Sequence, residues 1–169
     1  MMKETLVETQ ETAGFNEPPQ RLAIGGHFNH LFMYSILATG ADAGGQPEGK
    51  LLEAIEKKFS NFEGFKQTLK KAVVERVLPG WVWLGCSPDG KSLVITQTNH
   101  EDNPLMHGVT ECTCTPIVGI DLWEHAYFSQ YEGNKEAYLD AFLENVDWKK
   151  VSQNFELYNL EGKVAPILE

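Results

Sequence analysis

Apolar residues recur at helical spacing through the first half of the chain and then change to short continuous runs at Pro79-Gly80. Leu22, Ile24, Phe28, Leu31, Phe32, Ile36 and Leu37 predict a buried helix over about residues 27–38, with Gly25-Gly26 leaving its start open. Residues 40–49 are rich in Gly, Ala and Pro and read as a loop. Leu51, Leu52, Ile55 and Phe59 give an amphipathic helix that Ser60-Asn61 breaks. Asn61 caps the next one, which carries Phe62, Phe65, Leu69, Ala72, Val73 and Leu78. Trp81 to Gly85 and Ser92 to Thr98 read as strands joined by a turn at Ser87 to Gly90, which makes a hairpin. Pro116 to Asp121 reads as a short buried strand, followed by helices over about 124–131, 135–145 and 147–155.

Helices first, then adjacent strands, then helices again make an α+β arrangement. The chain divides into a polar acidic arm (1–20), a helical segment (21–78), an α/β unit (79–156) and an extended tail (157–169).

The bulk numbers narrow the function. The net charge of −10 over 169 residues argues against direct nucleic-acid binding by neutralising phosphates. Cys86, Cys112 and Cys114 are an odd number in a chain too long to need a disulfide framework, so they read as reduced thiols. A C-x-C pair such as Cys112 and Cys114 can also bind a soft metal. No run of eighteen apolar residues exists, so no membrane span is expected. Residues 1–20 carry Glu4, Glu8, Glu11 and Glu17 and show neither a basic transit segment nor an apolar signal core. An intracellular place, mitochondrial or cytoplasmic, is the expectation.

The sharpest chemistry lies at Asp121-Leu122-Trp123-Glu124-His125. A carboxylate at a strand end and an imidazole four residues on can converge on one ion, or serve as a helix cap and a packed histidine. His27 and His30 are three apart on one helix and could share a metal, or only one could face a site. His100 and His107 read as surface histidines in a polar loop. Trp81, Trp83, Trp123 and Tyr127 are either plain core or the aromatic wall of a metal site. Phosphate-loop, nucleophile-elbow and H-E-x-x-H motifs are absent.

The stretch Asp121-Leu122-Trp123-Glu124-His125-Ala126-Tyr127 resembles the signature D-x-W-E-H-A-Y of the iron/manganese superoxide dismutases. Gly26-His27-Phe28-Asn29-His30, Gly80-Trp81-Val82-Trp83-Leu84, Asp102-Asn103-Pro104-Leu105 and Tyr138-Leu139 through Trp148 are similar to further family motifs, in family order. The resemblance implies the family's C-terminal α+β domain, with a three-stranded antiparallel sheet among helices. It also implies one iron or manganese ion and the disproportionation of superoxide to dioxygen and hydrogen peroxide. By motif, His30, Asp121 and His125 are ligands and His27 is a second-shell or packing residue. Trp81, Trp83, Trp123 and Tyr127 surround the site. Glu124 is the residue that reaches across a homodimer to the partner's ligand histidine.

The departures bear on activity. Nothing before His27 resembles the family's opening helical hairpin with its first histidine ligand, and residues 1–26 contain no histidine. His100-Glu101 stands where the family often has a glutamine beside the bound solvent. Met33-Tyr34 replaces a usual Phe-Trp, and Phe128 replaces a tyrosine. The expectations are therefore two. One is a dismutase whose fourth protein ligand comes from His27, His100 or a partner chain. The other is an inactive dismutase-like structural subunit of a larger assembly, such as a mitochondrial ribosome or respiratory complex.

Overall fold

The computed structural model describes residues 18–160. Among them are six α-helices and one three-stranded sheet. They run α1 (Pro18–Ser35), α2 (Gly49–Phe59), α3 (Phe62–Glu75), β1 (Gly80–Cys86), β2 (Leu93–Asn99), β3 (Thr115–Asp121), α4 (Glu124–Tyr131), α5 (Lys135–Glu144) and α6 (Trp148–Phe155). The sheet is antiparallel in the order β2-β1-β3, so the α+β expectation holds.

Strand β1 is central because its sequence leaves it nowhere else to go. Gly-Trp-Val-Trp-Leu-Gly-Cys has no polar face, and all seven residues are buried. The hairpin to β2 closes through Asp89 Oδ1, which accepts from Ser87 Oγ at 2.6 Å and from the Lys91 N–H at 3.1 Å. Helices α2 and α3 bury Leu51, Ile55, Phe65, Leu69 and Val73 and leave their lysines in water. The Asn61 cap is made, its Oδ1 accepting from the Gly64 N–H at 2.7 Å. The end of α1 is tied to the α5–α6 turn by Asp147 N–H to the Ile36 carbonyl (2.9 Å) and Ala38 N–H to the Asn145 carbonyl (2.8 Å).

Three boundaries differ from expectation. Helix α1 begins at Pro18, so the last residues assigned to the acidic arm are helical. Proline fits the first turn, where its missing N–H has no partner to lose. Both glycines lie inside this helix, and Gly25 does so for a packing reason, since a Cβ there would come within 2.0 Å of the Glu101 carbonyl oxygen. Helix α3 stops at Glu75, and Leu78 is 63% exposed instead of continuing its apolar face. Pro79 disfavours helical backbone at the residue before it. The expected extended tail instead starts as a π-helical turn at Glu156–Leu160, with Tyr158 buried in the core. The rest of the tail, and most of the acidic arm, lie outside the described residues.

Candidate metal centre

The end of β3 and the start of α4 make the floor of the centre. Asp121 is opposite Trp81 in the sheet and only 2% exposed. Its Oδ1 accepts from the Trp123 N–H at 2.9 Å, which turns the chain into α4. That bond fixes the carboxylate and points Oδ2 at two imidazoles. His125 Nε2 lies 3.0 Å from Oδ2, and His30 Nε2, arriving from α1, lies 3.2 Å from it. The three ligand atoms fall within 4.8 Å of one another.

The His30 ring is oriented from behind. Its Nδ1 lies 2.7 Å from the Gly26 carbonyl oxygen, which can only accept, so Nδ1 carries the hydrogen. In the neutral ring Nε2 is then a bare lone pair facing a carboxylate oxygen. Two acceptors at 3.2 Å repel unless a cation or a proton lies between them. Two imidazoles, one fixed in its tautomer by a backbone carbonyl, and one carboxylate held by a backbone N–H form a donor set that suits a transition-metal ion.

Aromatic rings wall the cluster. Trp81 meets His30 edge-on at 5.1 Å and stacks on Trp83 at 5.4 Å. Trp123 stacks on His125 at 6.1 Å, and Trp123 Nε1 donates to the His100 carbonyl at 3.2 Å. Tyr127 is buried against Tyr138, and burial raises both phenols above their usual range. The outer side is open, with the His125 side chain 60% exposed and Tyr34 and Phe128 exposed beside the two helices.

Glu101 reaches the same place. It accepts from Trp81 Nε1 at 3.0 Å, and its backbone carbonyl accepts from Asn29 Nδ2 at 3.0 Å. Burial raises its carboxyl above the ordinary value, although the Trp81 bond and His30 pull the other way. Below about pH 4.5 the carboxyl is protonated in folded and unfolded chains alike. As pH rises through the raised folded value, the unfolded chain has already released its proton, so stability is lost. Glu101→Gln is therefore expected to melt higher than the parent near pH 7 and equal to it near pH 4. Thermal melts of the metal-free chain check this, and a constant difference at both pH values counts against it.

The remaining candidates lie elsewhere. His27 is exposed and has no contact with the cluster, because its neighbours Phe28 and Asn29 take the buried positions of that turn. His100 is exposed, its ring 6.0 Å from Trp123, and joins no ligand group. Neither supplies a fourth ligand within the chain. Glu124 is exposed at the first turn of α4. The cysteines are free, and burial pushes the Cys86 thiol up to about 12 and Cys114 higher still, so both stay protonated.

Residues 47–154 match the family model of the iron/manganese superoxide dismutases, C-terminal domain. The chain belongs to that family. The matched stretch includes Asp121 and His125 and stops short of His30. Relatives extend the likeness. The manganese superoxide dismutase of Acinetobacter baylyi is 37% identical over 153 residues, 90% of this chain and 66% of that protein. That of Pseudomonas aeruginosa is 37% identical over 131 residues, 78% of this chain and 61% of its own length. A superoxide dismutase named for manganese or iron, from Methylomonas, is 37% identical over 138 residues, 82% of this chain and 64% of its own. The chain thus spans about three-fifths to two-thirds of the length of the curated relatives it matches. All three carry dismutase names and come from bacteria, so they lend nothing to a structural-subunit or mitochondrial reading.

Proposed function

We propose that the chain holds one iron or manganese ion between His30 Nε2, Asp121 Oδ2 and His125 Nε2 and uses it to disproportionate superoxide. The observation that carries this is the convergence of those three atoms within 4.8 Å, with acceptor facing acceptor. The bound ion supplies one-electron oxidation of one superoxide and reduction of the next. The protein's part is positional. The Gly26 carbonyl sets the His30 tautomer, and the Trp123 N–H holds Asp121 in line. Trp81 and Trp123 cover the faces and edges of the two imidazoles and keep bulk water from those sides. Glu101, whose carboxyl burial raises, accepts from Trp81 Nε1 and so braces the indole that meets His30 edge-on.

The open side at His125, Tyr34 and Phe128 is where superoxide would enter, and Glu124, exposed in the first turn of α4, is the residue that a second copy would meet. The test is metal content after reconstitution with iron or manganese, followed by a superoxide-consumption assay. About one ion per chain with catalytic consumption is the expected result. A chain that takes up neither ion refutes the centre, and a loaded chain without turnover refutes the activity.

A further inference from the structure

Strand β2 lies at one side of the sheet. Two backbone bonds set which of its residues face β1, Ser87 N–H to the Ser92 carbonyl at 2.8 Å and His100 N–H to the Pro79 carbonyl at 3.0 Å. With Gly85 opposite Val94, Trp83 opposite Thr96 and Trp81 opposite Thr98, the bonds to β1 come from Val94, Thr96 and Thr98. The alternate residues turn their N–H and C=O outward. Asn99 uses its carbonyl to accept from the Asp102 N–H at 2.9 Å. No described residue bonds the outward backbone groups of Ile95 and Gln97.

A cavity of about 440 Å³ lies beside this strand. Every residue from Ile95 to Asn99 lines it, together with Val109 to Glu111. Side chains alternate between the faces of a strand, so five consecutive residues share one cavity only when it runs along the edge. The groove shares no residue with the metal cluster.

One cation lines the groove. Arg76, just past the end of α3, is 7% exposed and lines it. Its Nη1 donates to Gln97 Oε1 at 3.2 Å, and its Nη2 donates to the Pro79 carbonyl at 2.9 Å and Asn99 Oδ1 at 3.1 Å. All three acceptors are neutral, and the Nε–H has none. Asp102, on the same cavity, is taken by Arg21 Nε at 3.1 Å. Lys135 adds a second cation nearby, its Nζ donating to the Arg76 carbonyl. Glu111, which is exposed, also lines the groove. A buried guanidinium without a counter-charge is costly, and a carboxylate from outside relieves that cost.

We propose that the β2 edge is a docking groove for an extended acidic peptide, which adds as a fourth strand and sets a carboxylate against Arg76. Backbone bonds to Ile95 and Gln97 would hold the peptide, and Arg76 would choose its side chain. Ile95 to Asn99 span about 13 Å, which five residues of strand cover. Arg76 bonds the side chains of Gln97 and Asn99, so the acidic residue belongs at that end of the strand.

The experiment titrates the full isotope-labelled chain with the probe acetyl-Thr-Val-Thr-Glu-Thr-Val-Thr-amide and follows backbone amides by NMR. The Ile95 and Gln97 signals are expected to move, and their hydrogen exchange to slow by about tenfold or more at saturation. A probe with glutamine for glutamate should bind about tenfold more weakly. A probe N-methylated at alternate amides should not bind at all. Arg76→Gln should abolish the preference for glutamate; because Arg76 also braces Pro79 and Asn99, the probe variants decide the matter if that protein fails to fold. No movement between Leu93 and Asn99 at millimolar probe overturns the proposal, and so does equal binding of the altered probes. Protection of Ile95 and Gln97 in the chain alone also overturns it. Protection lost on dilution would assign the edge to a second copy, and protection that survives dilution would assign it to this chain's own residues.

Discussion

Asp121→Ala should abolish high-affinity metal binding while the rest of the fold survives. Asp121 Oδ2 is the one atom that both imidazole nitrogens face, at 3.0 and 3.2 Å, so its removal leaves two neutral donors and no charge. Loss of a partner behind a ligand typically weakens a metal by about 10–100-fold, and loss of the only anionic ligand should exceed that. The same substitution deletes the acceptor for the Trp123 N–H, which costs about 1 kcal/mol in the manner of a lost helix cap. Asp121→Asn separates the two effects. Its amide oxygen can keep the Trp123 bond and the start of α4, yet it brings no negative charge between His30 and His125. Both variants should melt within a few degrees of the metal-free parent and, after reconstitution and dialysis, retain well under a tenth of the metal that the parent keeps, read by elemental mass spectrometry. Undiminished metal in either one would remove Asp121 from the centre.

The sequence showed some of this and hid the rest for identifiable reasons. The β1 run and the α4 bounds were plain, because a short apolar stretch rich in Trp and Val between turn residues reads as a buried strand and because Asp121 ends β3 just before α4 begins. The start of α1 was hidden. Pro18-Pro19 and Gly25-Gly26 are both breakers by local rule. The first pair is tolerated in a first turn, and in the second Gly25 is required by the Glu101 carbonyl, which comes from a loop 76 residues away. The spacing of Asp121 and His125 offered either a metal pair or a helix cap with a packed histidine, and the motif likeness favoured the first. His30 is 91 residues from Asp121, so only motif likeness joined them, and spacing could not say whether His27 or His30 turned inward. The open edge of β2 left no mark at all, since its threonines, isoleucine and glutamine read the same in a central strand as in an outer one. A buried arginine lined up with neutral amides was equally silent, because partner choice depends on where α3 stops.

Trp83→Ala should be the most damaging single change in the core. The indole is fully buried, stacked on Trp81 at 5.4 Å and tilted against Phe32 at 6.0 Å. Gly119 on β3 is bare to admit it, since a Cβ there would lie 2.4 Å from Trp83 Cζ3. Its Nε1 donates to Thr98 Oγ1 at 2.8 Å, and Thr98 Oγ1 donates onward to the Asp102 carbonyl at 2.6 Å, so the ring also pins the loop that carries Glu101. Truncation therefore opens a cavity in the middle of the sheet, at about 3–5 kcal/mol. That is a large share of the roughly 5–15 kcal/mol by which a domain is stable. Trp83→Phe keeps a ring against Gly119 and loses the Thr98 bond, so it should cost less, near the 0.5–1.5 kcal/mol of one hydrogen bond plus a small void. Urea unfolding midpoints should fall in the order parent, Trp83→Phe, Trp83→Ala. The order has a consequence at the centre, because Trp81 is wedged between Trp83 and His30. A chain weakened at Trp83 should release its metal at lower urea than it loses its helices, whereas simultaneous loss would mean that the indole pair supports the sheet alone and not the ligands above it.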